Sequence, residues 1–439
     1  MGSHLRLDFV RSAAWEFVAP NPLLAPYFHV GGRGQLVAEG NGREECYGYA
    51  RCPVRLAGGR SYLLRVRLKA DGIETVEHHV AHGLLGPSYS GGLFSLRAEG
   101  AYHAGEQRFP GPPEDLAAEL RIYFRYSPLG RVIWEEIVLE EREPIPARPA
   151  KFACRQGAMP RDSTLAYWSQ WLDLAGRSGP DLALLPEVFD GGRPSEAHLP
   201  GGPPVQLLAA KARQWRMYTC GTYYEARNGL VFNTAVLFDR SGCMVGSYDK
   251  LLPYGPELDQ GVSPGRELRV FDADFGRVAV VNCFDSWFPD VARELAQMGA
   301  EVILLPNAGY FEDLMPARAA DNGVCVVASS LYNSAGVWES SGHRAGDENP
   351  KSSRESPSAV LSFEQHPADG LLLAAVDLSK QYSPHWKGGP MMSAPALRVS
   401  GATSLKPLSH LASNARPTGD REGAEEMVGS EPPRGASAR

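Results

Sequence analysis

Cys283 closes the apolar run Val278-Ala279-Val280-Val281-Asn282 and is followed at once by Phe284 and Asp285. A run of this kind reads as a buried strand, and α/β folds place reactive groups where strands end. A thiol there becomes a nucleophile once a base removes its proton, because the thiolate is the reactive form. A small apolar core residue is the competing reading, since free cysteine is commonly buried for packing. Glu187 ends a second run, Leu182-Ala183-Leu184-Leu185-Pro186. A carboxylate in that position is desolvated unless partnered, which would suit it to carry a proton between a thiol and a departing amine. A helix cap or a surface loop explains a lone glutamate equally well. Lys250, after Val245-Gly246-Ser247-Tyr248-Asp249, lies in a stretch that approaches the same sheet edge. Alone it reads as one more solvated lysine.

These positions need a scaffold, and the pattern of the chain supplies one in its second part. From Lys151–Gln156 onward, strands alternate with helices: a helix at Ser163–Gly176, the strand Asp181–Leu185, strands at Met217–Thr222, Asn233–Phe238, Val278–Asn282 and Val302–Leu305, and a helix at Asp290–Met298. That rhythm predicts an α/β domain. The first part differs. Tyr62–Lys69, Glu119–Tyr126 and Arg131–Glu140 alternate with period two between Gly and Pro turns, which predicts half-buried strands of an antiparallel β-sandwich. Domain boundaries follow: a β-sandwich over residues 5–143, a Pro-rich linker over 144–150, an α/β domain over 151–400 and a disordered tail over 401–439. Gly342–Ser358 reads as a polar loop.

Composition narrows the function classes. Hydrophobic residues make up 43% and charged residues 22% of the 439 positions, ordinary values for a globular protein. The net charge of −7 and the scattering of 44 Lys and Arg predict no nucleic-acid partner. No stretch approaches the roughly 18 apolar residues of a membrane span. Seven cysteines without paired spacing read as reduced thiols, so a cytoplasmic setting without a structural zinc site is expected.

Glu187, Lys250 and Cys283 occur in that order, separated by 63 and 33 residues. Their surroundings are Leu184–Val188 (LLPEV), Tyr248–Pro253 (YDKLLP), Pro256–Gly265 (PELDQGVSPG), Phe271–Pro289 (FDADFGRVAVVNCFDSWFP) and Arg318–Ser329 (RAADNGVCVVAS). As an ordered set these segments resemble the nitrilase superfamily of carbon–nitrogen hydrolases over about Lys151 to Arg398. The resemblance implies a four-layer αββα sandwich in which Glu187 is the base, Cys283 the nucleophile, and Lys250 with the backbone N–H of Phe284 the oxyanion donors. Glu257 occupies the place of a second active-site glutamate and is expected to give positioning and electrostatic support. Asp285 and Asn322 match family segments and are expected to be structural. Asp321 stands where many relatives have glutamate. The implied chemistry is hydrolysis of a small amide or N-carbamoyl compound through a cysteine thioester, without cofactor, by a homodimer. True nitrile hydrolysis fits the segment around the cysteine less well. Transfer of the acyl group to an amine, or a silent binding protein, are the alternatives.

Two clusters of the first part are tempting. Alternation places His78 and His82 on one face of an expected strand beside His79, but no further zinc donors are identifiable. Trp15, Tyr27, Phe28, Tyr123, Phe124 and Trp134 could line a sugar groove, since the all-β, jelly-roll-like sandwich looks similar to carbohydrate-binding modules; aromatic residues in strands more commonly form the core. Substrate choice is expected to reside in loops at Asp190–Pro204, Tyr223–Leu230 and Gly309–Met315.

Overall fold

Why the first part folds as sheets is visible in Ser61–Asp71, where Tyr62, Leu64, Val66 and Leu68 are buried and alternate residues are not. In the computed structural model this strand lies within a seven-stranded sheet ordered Tyr27–Val30, Leu36–Glu39, Arg131–Arg142, Ser61–Asp71, Tyr102–Pro110, Arg97–Glu99, with Arg6–Asp8 also on Arg131–Arg142. A five-stranded sheet runs Glu16–Val18, Tyr47–Leu56, Leu116–Arg125, Val80–Gly86, Tyr89–Leu93. The pairings within both sheets are antiparallel. One apolar cluster takes Leu64, Val66 and Ile137 from one sheet and Ala50, Leu120 and Ile122 from the other. The described residues are 6–380 except 13, 74–75, 88, 94–95, 158–163, 310–311, 333–334 and 348–357, so the tail expected over 401–439 and most of the Gly342–Ser358 loop lie outside them. Among the described residues no helix is long and apolar enough to cross a membrane.

The histidines are placed differently from expectation. Val76–His79 is a short helical turn, so His78 and His82 do not share a strand face. His79 Nδ1 lies 3.0 Å from the Arg125 carbonyl, and His82 Nε2 accepts from Trp134 Nε1 at 2.9 Å. Burial drives the His82 pKa down to about 3, which keeps it neutral beside its indole partner. Tyr123, Phe124 and Trp134 are buried, Trp15 and Phe28 pack against the same core, and Tyr27 is exposed.

In the second part the strands are apolar on both faces, as they must be when both are covered. Leu182 and Leu184 join one cluster while Ala183 and Leu185 join another. Val278 and Val280 likewise separate from Ala279 and Val281. The seven-stranded sheet is ordered Met244–Asp249, Leu230–Phe238, Tyr218–Arg227, Leu182–Leu184, Pro149–Arg155, Leu371–Asp377, Val360–His366, and the five-stranded sheet Val270–Ala273, Gly276–Val280, Val302–Asn307, Cys325–Ser330, Gly336–Trp338. Both mix parallel and antiparallel pairs. One cluster draws on both sheets; a second sets Leu165–Arg177 and Pro203–Trp215 on the larger sheet, and a third sets Pro289–Gln297 and Met315–Asn322 on the smaller. The second part is thus an α/β fold.

Three local expectations need correction. The first strand begins at Pro149, already paired with Asp377, two residues before its expected start at Lys151. Pro203–Trp215 is a helix that the pattern of loops did not anticipate; Pro in its first turn starts it. Tyr223–Leu230 is no loop but the tip of a hairpin, Tyr218–Arg227 with Leu230–Phe238, turned by Asn228 and Gly229 at φ 52° and 75°. An Asn-Gly pair is the strongest short hairpin signal, because both residues tolerate positive φ.

Candidate active site

Each of the four expected side chains stands just beyond a strand or in the first turn that follows one. Glu187 comes two residues after Leu185, whose N–H still donates to Cys220 O at 2.8 Å, and the next residue, Val188, is pinned by Thr222 Oγ1 at 2.7 Å. Lys250 directly follows Met244–Asp249, its N–H donating to Asn233 O at 2.9 Å. Glu257 lies in the short helix Gly255–Asp259 and accepts from Tyr254 N at 2.8 Å. Cys283 opens the 3-10 turn Cys283–Trp287 with φ 47°, a left-handed conformation that costs a residue other than glycine about 1–3 kcal/mol.

That cost is met by a buried carboxylate. Asp285, with no exposed surface, accepts from Asn282 N at 3.1 Å, Tyr248 Oη at 2.8 Å and Leu252 N at 2.8 Å. It therefore ties the cysteine turn to the segment just after Lys250. Burial pushes its pKa up to about 6 against the hydrogen bonds from Tyr248, Leu252 and Asn282. Asn322, at the end of Met315–Asn322, donates to Arg318 O at 2.9 Å within its own helix, and Asp321 precedes it there.

The structure brings Glu187, Lys250, Glu257 and Cys283 together. Lys250 Nζ donates to Glu187 Oε1 at 2.7 Å and to Glu257 Oε2 at 2.6 Å, with only 1% of the lysine exposed. Burial alone would disfavour its ammonium, but the charges of Glu187, Cys283 and Glu257 overcome that and hold its pKa above the usual value. Glu187 Oε2 also accepts from Ala308 N at 3.2 Å. The Cys283 Sγ lies 3.7 Å from Gly309 O, close enough to Glu187 for that charge to act on it. Burial, then the Glu187 charge, push the thiol up to about 12, with Lys250 opposing. At rest these influences favour the protonated thiol. Phe284 is the second residue of the cysteine turn.

Asn233 and Asn282 went unassigned in the sequence. Asn233 Nδ2 donates to Oε1 of both Glu187 (2.9 Å) and Glu257 (2.8 Å), and its Oδ1 accepts from Asn282 Nδ2 at 2.8 Å. One buried amide thus fixes both carboxylates. Its signal was available: a polar Asn-Thr pair inside the otherwise apolar Leu230–Phe238. Tyr224 Oη, 3.4 Å from Glu257 Oε1, carried no such signal. Among the described residues no group of three or more His, Cys, Asp and Glu is placed to hold a metal ion.

Comparison with known proteins gives this geometry a context. The carbon-nitrogen hydrolase family matches residues 151–345. A nitrilase from Pyrococcus abyssi is 32% identical over 167 residues, 35% of this chain and 63% of that protein. N-carbamoylputrescine amidase from Solanum lycopersicum is 25% identical over 207 residues, 41% of this chain and 68% of that protein. A double mutant of the amidase from Nesterenkonia sp. AN1, solved with acrylamide, is 20% identical with a TM-score of 0.42, covering 54% of this chain and 96% of that one. The similarity to the Pyrococcus protein thus spans less than two thirds of its length. Residues 151–345 of this chain are thus similar to a carbon-nitrogen hydrolase domain, and the relatives they match include a nitrilase and an N-carbamoylputrescine amidase.

Proposed function

We propose that the protein hydrolyses a non-peptide C–N bond, that of a linear amide or an N-carbamoyl compound, through a thioester on Cys283. The observation that carries this reading is the buried cluster in which Lys250 Nζ and Asn233 Nδ2 each bind both Glu187 and Glu257, beside a Cys283 thiol that feels the charges of Glu187 and Lys250. Glu187 accepts the thiol proton as sulfur bonds to the substrate carbonyl carbon. The oxygen takes up the electron pair, and Lys250 Nζ with the Phe284 N–H meets that charge. Protonated Glu187 then gives its proton to the nitrogen, the C–N bond breaks, and the amine or ammonia leaves. Glu187 next draws a proton from water, hydroxide adds to the thioester, and the sulfur departs as the acid is released and the thiol reprotonated. Glu257 holds Lys250 from its other side, so that the ammonium stays aimed while its partner changes charge.

The same reading takes the catalytic part as a four-layer αββα sandwich, the first part as an accessory all-β domain, and the working unit as a cytoplasmic homodimer acting on a small molecule. Intact-protein mass spectrometry with amides, N-carbamoyl compounds and nitriles tests the chemistry. An acyl adduct and ammonia release in the wild type, both absent in Cys283→Ala, are expected. Undiminished turnover in Cys283→Ala would overturn the assignment, and the best substrate names the reaction.

A further inference from the structure

Four aromatic rings gather where the cysteine turn meets the Glu257 helix. The Phe284 ring lies 5.3 Å, centroid to centroid, from each of Tyr254, Trp287 and Phe288. Three of these rings are open to solvent: Tyr254 is 52% exposed, Trp287 41% and Phe288 40%. Other large aromatics of this part, Trp168, Trp338 and Tyr223, are fully buried. A contiguous exposed apolar patch marks a surface that something covers.

Its place says what. Phe284 is joined by a peptide bond to Cys283, and the Tyr254 N–H donates to the Glu257 carboxylate at 2.8 Å. The residues that carry the rings therefore adjoin Cys283 in the chain and Glu257 through the backbone. Charge restricts the guest. Two carboxylates, Glu187 and Glu257, face the single ammonium of Lys250, so the centre carries an excess of negative charge. The guanidinium that reaches this turn, from Arg318, is committed to the carbonyls of Ser286 (3.2 Å) and Trp287 (3.0 Å). A substrate carboxylate would meet repulsion from Glu187 and Glu257, whereas a flat uncharged group would find the exposed surfaces of Tyr254, Trp287 and Phe288.

We infer that Tyr254, Phe284, Trp287 and Phe288 form a subsite for the aryl group of an uncharged amide, which makes aryl-substituted amides the substrate class of the site. The inference rests on the reading of Cys283 as a hydrolytic nucleophile. It deepens that reading by naming a preference over short aliphatic and carboxylate-bearing amides.

The test uses the full chain with acetamide, 2-phenylacetamide and succinamate, in wild type, Trp287→Ala and Phe288→Ala. Alkylation of Cys283 by iodoacetamide is timed in parallel, with and without each amide. The expected result is a kcat/KM for 2-phenylacetamide at least about tenfold above that for acetamide, with succinamate lowest. Each variant should cut the 2-phenylacetamide to acetamide ratio at least about threefold, mainly through KM. Equal use of the two neutral amides, a preference for succinamate, or an unchanged ratio in both variants overturns the subsite. If none of the three amides is hydrolysed, the amide half of the hydrolase reading fails by itself, and protection of Cys283 decides the subsite. Protection by 2-phenylacetamide that Trp287→Ala removes upholds it; lack of selective protection overturns it. A change of oligomeric state in Trp287→Ala with the ratio unaltered assigns the rings to a second copy and also overturns it.

Discussion

At the scale of single residues, the Cys283 thiol and the Glu187 carboxylate work against each other at rest. Glu187 pushes the Cys283 pKa up, yet the proposed mechanism makes it the acceptor of the thiol proton. Removing its charge should therefore separate two quantities that usually move together. In Glu187→Gln, amide turnover should fall at least about 100-fold, the ordinary loss on removing a general base. Alkylation of Cys283 by iodoacetamide at mildly alkaline pH should instead become faster, because the upward push is gone and Lys250 is released to favour the thiolate. Rate against pH for both reactions checks this; a parallel fall in both would deny Glu187 its role as base. The four charged or reactive positions were legible because each follows an apolar run or sits in a quoted motif. Asn233 was not, since an amide that hydrogen-bonds two carboxylates looks, in one dimension, like a flaw in a strand.

At the scale of elements, the turn Cys283–Trp287 depends on Asp285, and this dependence has a pH signature. The Asp285 carboxyl, ordinarily near 3.8, is raised by burial to about 6, so the native state binds that proton more tightly than the unfolded chain. Its stabilising contribution is fully present below about pH 4 and is lost as the pH rises through about 6. Asp285→Asn cannot ionise. The variant should be less stable than wild type at low pH, and that deficit should shrink by about 3 kcal/mol toward neutrality. Urea titrations at a series of pH values measure it, and a deficit that stays constant contradicts the account. Strands and helices with an unbroken apolar face were read close to their observed bounds, as with Val302–Asn307 and Pro289–Gln297. Pro203–Trp215 was not, because it begins in a stretch of Gly and Pro that reads as loop until its packing under the larger sheet is seen. His82 does lie in a strand, but His78 was misplaced because period-two reasoning takes no account of a helical turn entering a strand.

At the scale of the whole molecule, the two parts hold separate apolar cores. The join is held from both sides. The Glu143 carbonyl accepts from Arg108 at 2.6 Å, while Arg148 pairs with Glu301 at 2.8 Å and donates from its backbone to Asp377 at 2.9 Å. A chain beginning at Ile145 keeps the second set of contacts, so it should melt cooperatively and retain amide turnover. Aggregation of that chain in size-exclusion chromatography would show that the first part covers apolar surface on the second.

The contact between Arg148 and Asp377 spans 229 positions, and the strand Pro149–Arg155 has Leu371–Asp377 as one of its two neighbours. During synthesis, the strands of the first part have all their partners once Arg142 is free of the ribosome. The catalytic sheet has no such luck. At ~5–20 residues per second, Pro149–Arg155 waits on the order of 10–50 seconds with one edge bare before its last neighbour emerges. A bare apolar edge recruits whatever strand comes first. For this chain the nascent interval, more than the finished fold, is when a chaperone or a codon-dependent pause would govern yield.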